Sequence, residues 1–143
     1  MIRFNCDYLE GAHPRILERL AATNMEQTVG YGCDDHSERA RELIKKVCAC
    51  PTAAVHFLVG GTQANFTVIS AALRPYQGVI AADTGHIACH ETGAVEACGY
   101  KVLTVPGDDG RVTAEAVDAY VREHWANESH EHVVRPKMVY ISM

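Results

Sequence analysis

The 143-residue sequence predicts an α/β protein in which a mostly parallel sheet is flanked by helices. From residue 51 onward, short apolar runs alternate with segments of helical periodicity, which is typical of consecutive βαβ units. The runs are apolar at successive positions, so the strands should be buried on both faces, as in a parallel sheet. Ligands of such folds bind at the carboxyl ends of the strands, and we expect a functional site at that edge.

The α/β part is predicted to span residues 51–143. Gly99 is well suited to end a helix, and Thr113 is well suited to begin one as its N-cap. Residues 126–135 are rich in His, Glu and Asn and are interpreted as a polar linker. Strands are expected at 54–59, 78–83, 100–105 and 137–142, and helices at 62–74, 88–98 and 113–125.

Residues 1–50 are predicted to form an N-terminal arm and two helices. Pro14 suits the first turn of a helix that ends near Asn24. A second helix should begin near Asp35 or Ser37, either of which could cap it, and should run to about Cys48. The first helix has an apolar stripe made of Ile16, Leu17 and Leu20. The buried side of the second helix is expected to contain Ala40, Leu43, Ile44 and Val47.

The composition argues against several classes of protein. The formal net charge of −5 leaves no basic footprint for nucleic acid. No apolar run reaches the roughly 18 residues of a membrane helix, and the N-terminus lacks the apolar core of a signal peptide. The six cysteines are therefore expected to be reduced thiols, and Cys48-Ala49-Cys50 lacks Cys-x-x-Cys spacing. The expected location is the cytoplasm.

The loop Gly60-Gly61-Thr62 separates a predicted strand from a predicted helix. A double glycine lets the backbone turn tightly and approach a ligand. The N–H groups and dipole at a helix N-terminus favour an anion, most often a phosphate. The alternative is a plain strand-to-helix turn. No Gly-Lys-Ser/Thr or G-x-G-x-x-G pattern is present, which disfavours nucleotide binding by those two mechanisms.

A second polar group opens the following predicted helix, with Asp83 just before it. His86 and His90 are four residues apart and share a helix face. One interpretation is a metal site joined by Cys89 or Glu91. A second places the ring of His86 against a planar ligand beside the phosphate loop. The third needs no ligand: His86 caps the helix and His90 faces solvent.

Two further features have more than one interpretation. Tyr31, between Gly30 and Gly32, is either a surface aromatic or a residue that lines a pocket, for example across a dimer interface. His124, His130, His132 and nearby glutamates are interpreted as a solvated linker.

Taken together, six runs resemble the N-terminal part of the low-specificity threonine aldolases. These belong to the β-eliminating lyase group of pyridoxal phosphate (PLP) enzymes, which have the aspartate aminotransferase (type I) fold. The resemblance covers essentially the whole chain, in order and at family-like spacing. The runs are Asn5-Cys6-Asp7-Tyr8-Leu9-Glu10-Gly11-Ala12-His13-Pro14, Gly30-Tyr31-Gly32, Gly60-Gly61-Thr62-Gln63-Ala64-Asn65, Ala82-Asp83-Thr84-Gly85-His86-Ile87, His90-Glu91-Thr92-Gly93-Ala94 and Pro136-Lys137-Met138-Val139-Tyr140-Ile141-Ser142.

The resemblance implies PLP as the cofactor and implies no metal. The family's phosphate loop binds through backbone amides and corresponds to Gly61 and Thr62. A family histidine that stacks on the pyridine ring, and is a candidate for proton transfer, corresponds to His86. The candidate residues of the substrate pocket are Asp7, Tyr31 and His90, of which His90 lies where family members vary.

The implied reaction is cleavage of L-threonine or a related β-hydroxy amino acid to glycine and an aldehyde. Alternatives within the same fold are β-elimination and transamination. An alternative from another class is a non-catalytic α/β fragment with a metal at His86 and His90. The resemblance also implies a homodimer or homotetramer, because type I enzymes usually build their sites at subunit interfaces.

Two residues of the family's site have no counterpart here. These are the lysine that binds the cofactor covalently and the aspartate that pairs with its ring nitrogen. The lysines at positions 45, 46, 101 and 137 lie in other contexts. The last predicted strand would also be an uncovered edge. We therefore expect 51–143 to be the first part of a type I large domain without its C-terminal remainder, and the chain alone to be inactive.

Overall fold

The computed structural model describes residues 5–6, 8–107 and 110–142. The chain divides into two units, Met1–Phe57 and Leu58–Met143. The first unit contains two helices, and the second contains a three-stranded sheet with its covering helices.

Helices α1 (Pro14–Thr23) and α2 (Asp35–Val47) confirm the two helices predicted in the first unit. The N-cap of α2 is Asp34, one residue before the predicted start. Its carboxylate accepts hydrogen bonds from the backbone N–H and the hydroxyl of Ser37, at 2.9 and 2.7 Å. These bonds satisfy a backbone donor that has no partner within the helix.

The apolar side of α2 was expected to be buried, and this prediction is wrong. Neither helix contains a buried residue, and Leu20 and Val47 remain 59% and 85% exposed. Helical periodicity identifies which side of a helix is apolar, but burial needs a second layer to cover it. The exposed apolar side chains are Ile16, Leu17, Leu20, Leu43, Ile44 and Val47.

The strand predicted at 54–59 is also wrong. Residues 53–58 have no regular hydrogen-bonded structure. An apolar, β-branched run suits a strand, but a strand forms only where a neighbour supplies matching N–H and C=O groups. The three strands of the described residues pair only with one another.

The sheet consists of β1 (Gln77–Ala82), β2 (Lys101–Val105) and β3 (Arg135–Val139). All pairs are parallel and the order is β2-β1-β3, which confirms the predicted fold class. β3 lies earlier in the chain than predicted. Its register with β1 shifts next to Pro136, because proline has no N–H to donate to the ladder.

The sheet is covered on both faces. Helices α3 (Gly61–Ala72), α4 (His86–Cys89) and α5 (Ala94–Ala97) contribute to one face, and α6 (Ala114–Ala126) packs on the other. The buried residues of the first face are Ile69, Leu73, Val79, Ala81, Ile87 and Val95. Those of the second face are Ile80, Leu103 and Val105, packed against partly buried residues that include Val117, Tyr120 and Val121.

The single helix predicted at 88–98 is replaced by the two short helices α4 and α5. Thr92 and Gly93 between them have positive φ angles of 50° and 72°, a left-handed conformation that interrupts an α-helix. Gly99 has a φ angle of 88° and follows α5, as expected of a helix terminator. Thr113 caps α6 as predicted, since its hydroxyl accepts a hydrogen bond from the N–H of Ala116 at 3.1 Å.

His124 is buried, so its assignment to a solvated linker is wrong. It belongs to the last turn of α6 and is 7% exposed. Its ring centroid lies 5.1 Å from that of Trp125 and 5.9 Å from that of His130. The predicted helix at 113–125 already contained His124, and its ring packs beside those of Trp125 and His130 instead of facing solvent.

All six cysteines are free thiols in the structure. Within the described ranges, no helix has both the length and the apolar character needed to cross a membrane.

A pH prediction follows from the cap of α2. Hydrogen bonds from the hydroxyl and then the N–H of Ser37 hold the pKa of Asp34 below its ordinary value of 3.8. The carboxylate therefore stabilises the folded state above about pH 3.8, and this is lost as the pH falls through the lowered pKa. We expect Ser37→Ala to raise the pKa of Asp34 and Ser37→Thr to leave it low. Carbon-13 shifts of the Asp34 carboxyl measure this, and an unchanged midpoint in Ser37→Ala would contradict it.

Candidate functional site

The N-terminus of α3 presents backbone donors that the helix itself does not use. Its N-cap is Gly60, and no side chain caps it. The first backbone bond runs from the N–H of Ala64 to the carbonyl of Gly60, at 3.0 Å. The N–H groups of Gly61, Thr62 and Gln63 precede that bond, so they and the helix dipole can bind an anion.

The loop before α3 is held by Gln63, whose side-chain oxygen accepts a hydrogen bond from the N–H of Val59 at 2.9 Å. A Cβ atom added at Gly60 or Gly61 would have no heavy atom within 4 Å. Gly60 has an extended backbone that any residue can adopt. The packing of the described residues therefore does not require these glycines. Bare backbone facing open space fits a close approach by phosphate.

His86 begins α4, four residues after Ala82 at the carboxyl end of β1. Its Nδ1 atom lies 2.9 Å from the Oε1 atom of Glu91. The side chain of His86 is half exposed, whereas that of Glu91 is completely buried. The N-cap of α4 is Gly85, without a side-chain bond, so the interpretation of His86 as a helix cap is wrong.

Glu91 also joins α3 to this edge of the sheet. The Nδ2 atom of Asn65 donates to Oε1 of Glu91 at 2.5 Å, and it lies 3.3 Å from the hydroxyl of Tyr140. Asn65 follows Thr62 by three residues, a rise of about 4.5 Å along the helix. Asn65, which lies one turn after Thr62 in α3, and His86 are therefore linked through one shared carboxylate.

Asn65 and Tyr140 were missed as site residues from the sequence. Both belong to runs that carry the family resemblance, yet neither was interpreted as a contact. Asparagine is a poor helix former, so its position in the first turns of α3 was a usable signal.

His90 is exposed, and its ring centroid lies 5.7 Å from that of His86. Across the described part of the chain, no cluster of three or more His, Cys, Asp or Glu side chains could hold a metal ion. The metal interpretation therefore lacks a third ligand there. Cys89 instead donates to the carbonyl of Asp83, and the Asp83 carboxylate accepts a bond from the N–H of Gly107.

A cavity of about 430 Å³ lies at the carboxyl ends of the strands. This volume is within the usual range of small-molecule sites. Tyr140 lines it and also contacts Asn65, so the cavity adjoins the Glu91 contacts. The other lining residues are Ala82, Thr84, Gly85, Gly110, Arg111, Val112, Ile141 and Ser142.

Two predicted pocket residues belong to the first unit. Asp7 lies outside the described residues. Tyr31 has a φ angle of 63° and a fully exposed side chain. Their roles in a substrate pocket remain predictions.

Residues 4–142 match the family described as β-eliminating lyase. Because this match covers almost the whole sequence, the chain belongs to the β-eliminating lyase family, a family of PLP-dependent enzymes.

Individual relatives are threonine aldolases. A solved structure of Leishmania major threonine aldolase is 48% identical, with a TM-score of 0.88 over 94% of this chain and 38% of that chain. Low specificity L-threonine aldolases of Pseudomonas sp. and Pseudomonas aeruginosa are 28% and 27% identical over 98% and 96% of this chain. The chain spans 40% and 39% of their lengths. The structural match confirms the predicted type I fold, of which the chain contains a part.

Substitutions at Gly93 test the left-handed turn that follows Glu91 in the chain. Its φ angle of 72° disfavours any side chain with a Cβ. We expect Gly93→Ala to lower the free energy of unfolding by about 1–2 kcal/mol. Gly93→Asn should cost less, because asparagine tolerates this conformation. Urea unfolding of the three proteins measures the effect, and equal losses for both substitutions would contradict it.

Proposed function

We propose that this chain supplies the phosphate-binding and ring-facing residues of a PLP-dependent lyase. The proposed substrate is L-threonine or a related β-hydroxy amino acid, cleaved to glycine and an aldehyde. The observation that carries the proposal is the link from the open N-terminus of α3 to His86 through Asn65 and Glu91. The threonine aldolase relatives support the choice of reaction.

The residues present fit PLP. The N–H groups of Gly61 and Thr62 would donate hydrogen bonds to its phosphate, and open space allows that approach. PLP, when bound, supplies an electron sink for the pair released by Cα–Cβ cleavage.

His86 has two roles in this proposal. Its half-exposed ring offers a flat face to the cofactor ring. Its Nε2 atom, which has no hydrogen bond to another described residue, would hold or accept a proton at the reacting end of the substrate. Asp7, Tyr31 and His90 remain proposed residues of the substrate pocket.

We also propose that the chain alone does not catalyse the cleavage reaction. Lys101 begins β2 at the amino end of the sheet, opposite the edge where His86 lies. Lys137 lies within β3 and is exposed. Neither is at the carboxyl edge, where the covalent partner of the cofactor is needed.

The enzyme is proposed to be a cytoplasmic homodimer or homotetramer. The exposed apolar sides of α1 and α2 support association, because apolar surface of this kind is usually covered in an assembly.

A chimera tests the reaction. Residues 1–143 would replace the aligned segment of the Leishmania major enzyme, which then supplies the remaining sequence. We expect glycine and acetaldehyde from L-threonine with the chimera and PLP, and no product from the chain alone. The family description favours β-elimination as the second candidate. A 2-oxo acid and ammonia in place of glycine and aldehyde would support that candidate.

Variants of His86 in the same chimera separate its two roles. His86→Phe keeps an aromatic face without a nitrogen, so kcat should fall by about 10²–10⁴ while PLP affinity is retained. His86→Ala should lower both. His132→Phe is the control, since it makes the same change at an exposed histidine outside the proposed site. A normal kcat in His86→Phe would exclude the proton-transfer role.

Gly61 tests the phosphate loop in the chain itself. Gly61→Ala adds a Cβ that has no heavy atom of the described residues within 4 Å but enters the space proposed for phosphate. We expect PLP and inorganic phosphate to bind about tenfold more weakly, as for one lost hydrogen bond to a charged group. Stability should not fall. Amide NMR titrations measure binding, with Gly11→Ala as a control in open space elsewhere. Unchanged affinity would argue against this loop.

A further inference from the structure

Glu91 is a buried carboxyl group to which no role in the reaction has been assigned. The residue is 3% exposed, and it follows the half-exposed His86 by five residues. Its Oε2 atom is buried and has no hydrogen-bond partner among the described residues. Its Oε1 atom contacts two nitrogen atoms, Nδ2 of Asn65 and Nδ1 of His86.

The contacts determine where the proton of the His86 ring lies. The Nδ2 atom of Asn65 can only donate, so Oε1 of Glu91 must accept from it. If Oε1 carried a proton aimed at Nδ1, Asn65 would donate to a neutral hydroxyl oxygen, which is a weaker acceptor than a carboxylate oxygen. Oε1 therefore accepts from both nitrogens, and the hydrogen between His86 and Glu91 belongs to Nδ1.

We propose that Glu91 is the positioning residue of His86. It places a ring proton on Nδ1 and, in the neutral ring, leaves the lone pair on Nε2, the atom that can then accept a proton in the site. The use of Nε2 in the reaction rests on the proposed function, whereas the tautomer rests on the contacts alone.

A purely space-filling role does not explain Glu91. Burying a carboxyl group is costly unless it is hydrogen-bonded, and one oxygen here has no partner. An apolar side chain would fill the same space without that cost. The contact between Asn65 and Tyr140 orients the amide that holds the carboxylate. Asn65 and Tyr140 thus help to orient the Glu91 carboxylate that contacts Nδ1 of His86.

The test is the tautomer of His86 in the 143-residue chain without cofactor. Two-dimensional ¹⁵N–¹H spectra of the imidazole distinguish a protonated from an unprotonated ring nitrogen. We expect the Nδ1–H form to exceed the Nε2–H form about tenfold or more, the ratio of one hydrogen bond to a charged acceptor. Glu91→Leu removes the acceptor, so the ratio should fall toward unity.

Two further variants complete the design. Glu91→Gln should keep the Nδ1–H form, because Asn65 requires the amide oxygen on the same side. Glu96→Gln makes the same chemical change at an exposed position of α5 and should have no effect. Backbone amide spectra report whether each variant is folded.

Three results would overturn the proposal: an Nε2–H form in the unsubstituted chain, an Nε2–H form in Glu91→Gln, or an unchanged tautomer in folded Glu91→Leu. If Glu91→Leu does not fold, the tautomer of His86 in the unsubstituted chain and in Glu91→Gln still tests the proposal. No arm uses PLP or activity, so failure here leaves the proposed function standing. Failure of PLP binding likewise leaves the tautomer assignment standing.

Discussion

The second unit depends on the burial of β1. This strand pairs with a neighbour on each edge, is covered on both faces, and has all six residues buried. The space is tight: a Cβ at Gly78 would lie 2.9 Å from the side chain of Leu103 and from the carbonyl oxygen of Lys101. A strand held on four sides has a fixed carboxyl end. The segment that follows β1 and leads to His86 is therefore attached to a rigid strand, which helps to fix the position of His86.

The site is built where this rigid strand meets solvent. The side chain of Glu91 is completely buried there, whereas the ring of His86 is half exposed to solvent. Asn65 brings in the helix whose N-terminus offers N–H groups to an anion. A buried carboxylate is tolerated there because two donors meet one of its oxygens, and those same donors determine its orientation.

The predictions succeeded where local patterns suffice. Helices α1, α2, α3 and α6 were predicted from apolar periodicity and cap residues, and the fold class from alternating strands and helices. They failed where a partner was needed. Within the described residues, the run at 53–58 has strand composition but does not pair as a strand, and the apolar side of α2 is exposed. A sequence pattern specifies what a surface is suited to contact, not whether that contact is present.

By itself, the sequence determined the fold class, the loop at Gly60 and Gly61, and membership of the family, because these depend on the order of local signals. Only the tertiary structure decided which side chains meet. Asn65 reaches a carboxylate 26 residues away and a hydroxyl 75 residues away. Those separations are closed by strand pairing and by the packing of α3, α4 and α5 on one face of the sheet. Periodicity carries no information on such contacts, since they arise from the packing of elements distant in the chain.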